Sequence, residues 1–569
     1  MSETDFAAAR RHEVLARRRP RALPLGAALA ASLCLMPILA VVIGATLGDF
    51  STVEQLAKTV LWRYTWTTLV LVGAVAFGSA IIGTACAWLV TMTRFPGRRV
   101  FEVALALPFA FPAYVLAYAY TDVLDHPGIV QSTLRDVMNW GPRDYWFPEI
   151  RSLGGAALML TLVLYPYVYL LARAAFLQQS ATAYLAARSL GRGPWSAFLT
   201  TSLPMARPAI IGGMLLAIME TLADFGTVSF FAVQSFATGI YLSWISFADR
   251  PAAAQLALCL LFFALLLAVI ERAHRGKARH HSAGKRQEAM APMPLTGGAK
   301  WGAFVVCGLP VLLGFVLPVF ILVTMAFSSD VYLQFVEAWR EEGRVLPARY
   351  AAFIANSLTL SSIAALATVA AAILIGSNHR LFPSRASQAA GHLARIGYAV
   401  PGGVIAVGLM VPFAALDNRI DAFFEGAFNI DTGLLITGSI WLLVVAYMVR
   451  FMAAALNTYE SGLANIPPNM DAVARTLGNG PFGLLRRLHV RLAGPAVLTA
   501  GLIVFVDVMK ELPATLIMRP FNYDTLAVQA HRLAADERLE GAAIPSLMIV
   551  AVGLLPVILL CRSLGKRAH

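Results

Sequence analysis

A helix needs about 20 consecutive apolar residues to cross the hydrocarbon of a bilayer, and this chain reaches that length repeatedly. Such stretches lie near residues 22–46, 65–93, 100–124, 154–178, 207–232 and 251–270. After a polar gap they resume near 301–327, 354–377, 396–416, 432–456, 494–518 and 543–562. The strict alternation that marks strands of a β-barrel is absent. The sequence therefore predicts an all-α integral membrane protein with about twelve transmembrane helices. With 58% of residues hydrophobic and 14% charged, an ordinary soluble chain is excluded.

The charges orient these spans. Residues 1–21 are a leader containing Arg10, Arg11, Arg17, Arg18, Arg19 and Arg21. The apolar run that follows exceeds the roughly 7–15 residues of a cleaved signal core, so it reads as a retained anchor with a cytoplasmic N-terminus. Arg94, Arg98 and Arg99 fall in one short loop and Arg188, Arg192 and Arg207 in another on the same side, while the opposite loops at 125–151 and 417–431 are mixed or acidic. An even number of spans returns Arg562, Lys566 and Arg567 to the cytoplasm. The net charge of +13 is thus a topology signal, and its scattered residues form no nucleic-acid face. Cys34, Cys86, Cys259, Cys307 and Cys561 lie in or beside the spans without paired spacing and read as packing residues. His274, His280 and His281 sit in a basic, solvated segment, 271–300, which reads as a cytoplasmic linker rather than a metal site.

That linker separates two membrane domains, 22–270 and 301–569, and a duplication relates them. At an offset of 287 residues, Ala187–Ile210 aligns without a gap on Ala474–Val497. Ala187, Arg188, Leu190, Gly191, Gly193, Pro194 and Pro208 coincide with Ala474, Arg475, Leu477, Gly478, Gly480, Pro481 and Pro495. Each copy, 184–208 and 471–495, lies between the fourth and fifth spans of its half. Each reads as a short helix ended by glycine, a Gly-Pro turn, a second amphipathic run, and a proline where the next span begins. A helix–glycine–helix outside the membrane is shaped to enter a groove on another protein.

"AARSLGRGPWSAFLTTSLPMARP" and "VARTLGNGPFGLLRRLHVRLAGP" resemble the EAA loops of type I ABC-importer permeases, whose coupling helix docks on an ATPase subunit. Ala186, Ala187, Gly191, Leu203, Pro204 and Pro208 match that pattern in the first copy, and Ala474, Gly478 and Pro495 in the second. Leu185 and Ala472 stand where the family has glutamate, Thr201 and Leu488 where it has isoleucine, Val473 where it has alanine, and Val490–Arg491 where it has Leu-Pro. With "FPAYVLAYAY" (111–120), "ETLADFGTVSFF" (220–231), "TGIYLSWI" (238–245) and "DVMKELPATLIMRPFNYDTLA" (507–527), the chain is similar over most of its length to fused permeases of bacterial ferric-iron importers. Permeases for thiamine, phosphonates, sulfate or polyamines share much of the pattern. The resemblance implies a bacterial inner-membrane permease of two pseudo-symmetric six-helix halves, two copies of an ABC ATPase subunit, and a periplasmic solute-binding protein. It implies coupling through Ala186, Ala187, Arg188, Gly191, Gly193, Pro194, Pro204 and Pro208 and through Ala474, Arg475, Gly478, Gly480, Pro481 and Pro495.

No G-x-x-x-x-G-K-[ST] loop occurs, so ATP binding is expected on a partner chain and no cofactor on this one. No nucleophile–base set or metal-ligand cluster supports an enzyme, and the duplicated loop argues against a secondary transporter. The same offset aligns Glu220 with Asp507 and Asp224 with Glu511, giving the fifth span of each half a carboxylate pair at i,i+4 spacing. Ionisable groups at such depth face a cavity or a partner. They line a cation path or form buried ion pairs with Lys510, Arg207 or Arg519. Tyr114 and Tyr118 share a helix face beside Pro112 and either pack or line that path.

Overall fold

The computed structural model of the protein describes residues 22–47, 51–142, 144–179, 186–275, 292–328, 345–464 and 466–566. The leader 1–21, the start of the first loop at Tyr184–Leu185, and linker residues 276–291 with His280 and His281 lie outside the described residues. The principal helices are α1 (Ala22–Leu47), α2 (Leu61–Met92), α3 (Ala113–Leu124), α4 (Leu153–Gln178), α5 (Leu203–Ala223), α6 (Gly226–Phe230) and α7 (Arg250–Arg275). They continue with α8 (Gly298–Val311), α9 (Leu317–Ala326), α10 (Val345–Leu381), α11 (Arg385–Ile396), α12 (Gly402–Phe428), α13 (Ile440–Ala464) and α14 (Pro468–Thr476). The last are α15 (Gly494–Met509), α16 (Pro513–Met518), α17 (Leu526–Ala535) and α18 (Leu539–Lys566).

Among the described residues, 10 helices are long and apolar enough to span a membrane, or 12 if two sharply bent pairs each count as one span. One bent pair turns by 91° between Ala110 and Ala113. Proline lacks the N–H that would continue a helix and disfavours helical geometry in the residue before it, so Phe111–Pro112 is a natural break. The other turns by 77° between Leu492 and Gly494.

The chain packs as two compact units that cut across the sequence halves. One comprises the described parts of Met1–Met36, Ile363–Tyr398 and Tyr447–Val504. In it, the first turns of α1 meet second-half helices. Leu23 is buried with Leu381, Leu484 and Leu485, and Gly26 faces Leu374. The buried hydroxyls of Ser377 and Tyr459 join α10 to α13 at 2.7 Å.

The other unit comprises Pro37–Ser362, Ala399–Ala446 and Phe505–His569. Here α8 and α9, which open the second half, lie against first-half helices. The Cys86 thiol donates to Val306 O, Phe101 meets Phe304 edge-on at 5.3 Å, and the Tyr120 hydroxyl donates to the Leu313 carbonyl at 2.7 Å. The opening helices of the two halves are apolar on most faces, so each buries surface against whatever helices accept it. The end of the expected linker is ordered as well. Met293–Pro294 pairs in parallel with Thr93–Arg94, and the Leu295 amide donates to Arg94 O at 3.1 Å. Two residues of backbone pairing leave no periodic trace in a sequence, which is why this stretch read as featureless linker.

Candidate functional site

The duplicated loop has the same backbone in both copies. In the first, the Arg192 amide donates to Ala187 O at 3.2 Å and the Gly191 amide to Arg188 O at 3.0 Å. In the second, the Asn479 amide donates to Ala474 O at 3.1 Å and the Gly478 amide to Arg475 O at 3.0 Å. This pair of bonds is the Schellman closure of a helix, and it places the residue after the helix in the left-handed region. Gly191 and Gly478 occupy it, with φ of 82° and 79°. Side chains reinforce each turn, Arg188 Nη1 donating to Arg192 O at 2.9 Å and Asn479 Nδ2 to Ala474 O at 3.2 Å.

After the turn, Pro194–Ala197 and Pro481–Leu484 restart the helix one offset apart, with Gly193 and Gly480 just before them. Each then passes through a π turn, in which the Leu203 amide reaches Phe198 O and the Val490 amide reaches Leu485 O, five residues back. Neither the sequence pattern nor the prolines announce these turns. Pro204 lies in the first turn of α5 and Pro208 inside it, while Pro495 follows Gly494 at the start of α15. Ala186 is exposed and Ala187 is buried with Ala197. Beside each glycine a leucine projects outward, Leu190 at 81% exposure and Leu477 at 76%.

The second copy carries an anchor that sequence reasoning missed. Asp471, in the first turn of α14, accepts from Arg380 Nε at 2.7 Å and lies 2.9 Å from His489 Nε2. Arg380 also donates to Leu463 O and, at 2.9 Å, to Ile466 O, so one guanidinium ties the end of α13 to the loop. Burial works against the Asp471 charge, but the Arg380 and His489 bonds outweigh it and hold the carboxyl below the usual range. Arg380 and His489 stand 91 and 18 residues from Asp471. That separation hides the cluster from any local motif.

The carboxylates at the far end of the fifth spans also repeat. α5 stops at Asp224, whose carboxylate accepts from the Thr227 amide at 3.1 Å, the Thr227 hydroxyl at 3.0 Å and the Val228 amide at 3.2 Å. Glu511 follows α15 and accepts from the Ala514 amide at 3.0 Å, the Thr515 amide at 3.2 Å and the Thr515 hydroxyl at 2.8 Å. Each acid therefore ends one helix and caps the short helix after it, α6 or α16, satisfying amides that have no intrahelical acceptor. Glu220 lies one turn before Asp224 and is half-buried. Asp507 pairs with Lys510 at 3.0 Å, and the Lys510 ammonium sits 4.0 Å from the Phe109 ring centre. Of the other cations expected as partners, Arg519 pairs with Asp524 and Arg207 is exposed.

Tyr114 and Tyr118 are buried beside these breaks, their rings 5.7 Å apart. The Tyr118 hydroxyl lies 3.0 Å from His531 Nδ1 on α17, a residue with no signal in the sequence. Gly226 is required where α6 crosses α3, because a Cβ there would come within 2.8 Å of Tyr114 Cβ and 2.9 Å of Leu512 Cδ2. The small cavity beside the breaks is apolar, walled by Leu222, Phe225, Ile240, Tyr241 and Ile517 among others, and among the described residues no carboxylate lines it. Among the described residues no group of three or more His, Cys, Asp or Glu side chains is placed to hold a metal ion.

Two loops of one design, each opening a membrane helix that ends in a capped break, define a duplicated polytopic transport protein. The chain belongs to the family of binding-protein-dependent transport system inner membrane components, whose pattern matches twice, at residues 79–280 and 368–568. It is a membrane permease of that family, with two permease domains fused in one chain, and not an enzyme. It is 26% identical to the Fe(3+)-transport system permease protein FbpB 2 of Haemophilus influenzae, over 93% of this chain and 95% of that one. It is 24% identical to the probable ABC transporter permease protein y4fN of Sinorhizobium fredii, over 92% and 91% of the two chains. The molybdenum transport system permease protein ModB of Escherichia coli K12 is 29% identical, but over only 30% of this chain.

Proposed function

We propose that the protein is the permease of an ATP-driven ferric-iron importer, receiving Fe(3+) from a periplasmic binding protein. The observation that carries this reading is end-to-end similarity to a ferric permease, joined to one loop geometry repeated in both halves. Two copies of an ATPase subunit dock beneath, one per loop, with Leu190 and Leu477 as the apolar knobs that enter the ATPase grooves. Both termini face the cytoplasm. ATP binds to the partner and the permease carries no cofactor of its own. ATP-driven movement of each loop turns the helix that follows it, and the capped breaks at Asp224 and Glu511 let the segments beyond move as separate pieces. Glu220, Asp224, Asp507 and Glu511 bring negative charge to the ends of the fifth spans, which favours a cationic cargo over an anionic one.

The test is uptake into proteoliposomes holding this permease and its ATPase, with the cognate binding protein outside. ATP-dependent entry of radiolabelled Fe(3+), uncompeted by molybdate, sulfate or thiamine, is the expected result. Entry of one of those solutes instead of iron would overturn the substrate, and uptake without ATP would overturn the importer.

A further inference from the structure

α4 is capped by Ser152 and ends at Gln178, just before the first duplicated loop, so the residues ahead of Ser152 lie at the opposite end of that helix. There one side chain, Arg151, joins four elements. Its Nε donates to Asp125, which follows α3, at 2.9 Å. Its Nη1 and Nη2 donate to the two carboxylate oxygens of Glu537, in the turn between α17 and α18, at 2.6 and 2.8 Å. The guanidinium also lies over the ring of Phe230, the last residue of α6, 5.0 Å from its centre. A two-pronged guanidinium–carboxylate pair fixes orientation as well as distance. α6 follows the break at Asp224, and α17 follows, through α16, the break at Glu511. Arg151 therefore fastens pieces beyond both breaks to one another and to the first-half helices α3 and α4.

Glu537 is an unusual residue for its place. The Arg538 amide donates to Leu533 O at 2.8 Å and the Glu537 amide to Ala534 O at 3.1 Å, the same closure that ends the helices at Gly191 and Gly478. In those two loops glycine fills the left-handed position, whereas here glutamate does, at φ 58°. Six non-glycine residues among those described are left-handed: three are asparagine, which tolerates the region, two are alanine, and Glu537 alone is charged. A Cβ is disfavoured there, so the turn by itself would be steadier with glycine. What glutamate adds is the carboxylate on Arg151. The turn ahead of α7 in the first half has the left-handed residue without the carboxylate, Ala248 at φ 52°. The pair is also open to solvent, with 63% of the Glu537 side chain and 32% of the Arg151 side chain exposed. An exposed pair is weak enough to part and re-form within a transport cycle.

We propose that Arg151 and Glu537 form a latch that closes the end of the permease away from its ATPase subunits, and that the latch parts in every transport cycle. Alternating access requires the pieces around a path to separate at one end while they meet at the other. With the pair made, α6 and α17 are held together, and with the pair parted each follows its own break. Movement driven from the duplicated loops is then coupled to the state of the latch. Such coupling is reciprocal, so loosening the latch favours the loop arrangement that accompanies its opening. The latch rests on the ATP-driven reading above, while the identity of the cargo does not enter it.

Full-length permease with its ATPase in proteoliposomes provides two tests. Glu537→Gly removes the carboxylate and fits the left-handed turn, and Glu537→Gln removes only the charge. Each should raise ATP hydrolysis in the absence of the binding protein about fivefold, with the thermal transition of Glu537→Gly unchanged. A pair that only braces the fold would leave hydrolysis unchanged or lower it, and that result in Glu537→Gly would overturn the latch. For the second test, Arg151→Cys and Glu537→Cys are combined in a protein whose five native cysteines are alanine, and the two new thiols are joined by a reducible bismaleimide. Uptake should fall below about a tenth when they are joined and return on reduction. Full uptake by the joined protein would overturn the latch. Parent protein assayed alongside separates the two readings. Uptake there without ATP overturns the importer, whereas the latch is judged by the ratio of joined to reduced uptake, whichever solute the parent carries.

Discussion

The loop at 186–208 enters a helix that runs unbroken from Phe198 to Ala223, whereas the loop at 471–495 enters one that bends by 77° after Leu492. Both have a proline at the same point. Pro208 follows Arg207, a good helix former, while Pro495 follows Gly494, which gains least from staying helical. Their anchoring differs too. The position of His489, held by Asp471 in the second copy, is Ser202 in the first, a buried residue whose hydroxyl has no partner among the described residues. The turn has been kept in duplicate because one backbone geometry makes it. The fixings behind the turn have been free to diverge.

The largest effect should come from the shared part. A β-branched residue in the left-handed region costs on the order of 1–3 kcal/mol, and nothing lies within 4 Å of a Cβ at either glycine, so the penalty is conformational and not steric. Gly191→Val or Gly478→Val should cut ATP-driven uptake below about a tenth while insertion persists, and Gly→Asn, which tolerates that region, should keep most of it. Uptake assays on membranes of matched protein content check this. Normal uptake in the double Val variant would end the docking reading for both copies.

Next comes the part that is not shared. Asp471→Ala strands the mostly buried Arg380 and should lower stability by about 3 kcal/mol, seen as an earlier thermal transition in detergent. Ser202→Ala should change it little. Equal losses would show the two loops to be anchored alike.

A smaller difference separates charge from shape at the helix breaks. Asp224→Ala and Glu511→Ala remove a cap worth about 1 kcal/mol each, whereas Asp224→Asn retains cap acceptors. Iron uptake that falls in the Asn variant, at unchanged stability, supports a cationic path. Undiminished uptake leaves capping as the whole role of the acid.

The pH effect is smaller still. Because the folded Asp471 carboxyl lies below its ordinary range, its contribution is complete above the unfolded value and is lost as pH falls through the lowered one, in the region below about pH 4. Thermal stability measured from pH 6 to 3 should therefore decline less steeply in Asp471→Asn than in the parent. Identical acid limbs would remove Asp471 from the account.

The spans were legible in the sequence because lipid imposes a minimum length on every helix that crosses it. The loop was legible because glycine at a left-handed position and proline at a helix start leave local marks. Where α5 stops was not, since Asp224 continues an apolar helical pattern and is turned out of it by the amides of Thr227 and Val228 and the Thr227 hydroxyl. The Asp471 anchor was hidden because its partners come from separate helices. The packing of α1 and α8 against the opposite halves leaves no trace in hydropathy, which records that a helix is apolar and not which neighbour it meets.

That last arrangement also sets a timetable. In the first unit, 326 residues lie between Met36 and Ile363, where the next segment that belongs with it begins. At roughly 5–20 residues per second, a ribosome needs about 16–65 s to cover that stretch. During this interval α1 rests in the bilayer with Ala27, Ala30, Ala31 and Cys34, all buried in the finished protein, facing lipid or the insertion machinery. The first turns of the opening helix are thus among the first made and among the last to dock. Mutations that leave α1 exposed longer should register as degradation during synthesis before they register as lost transport.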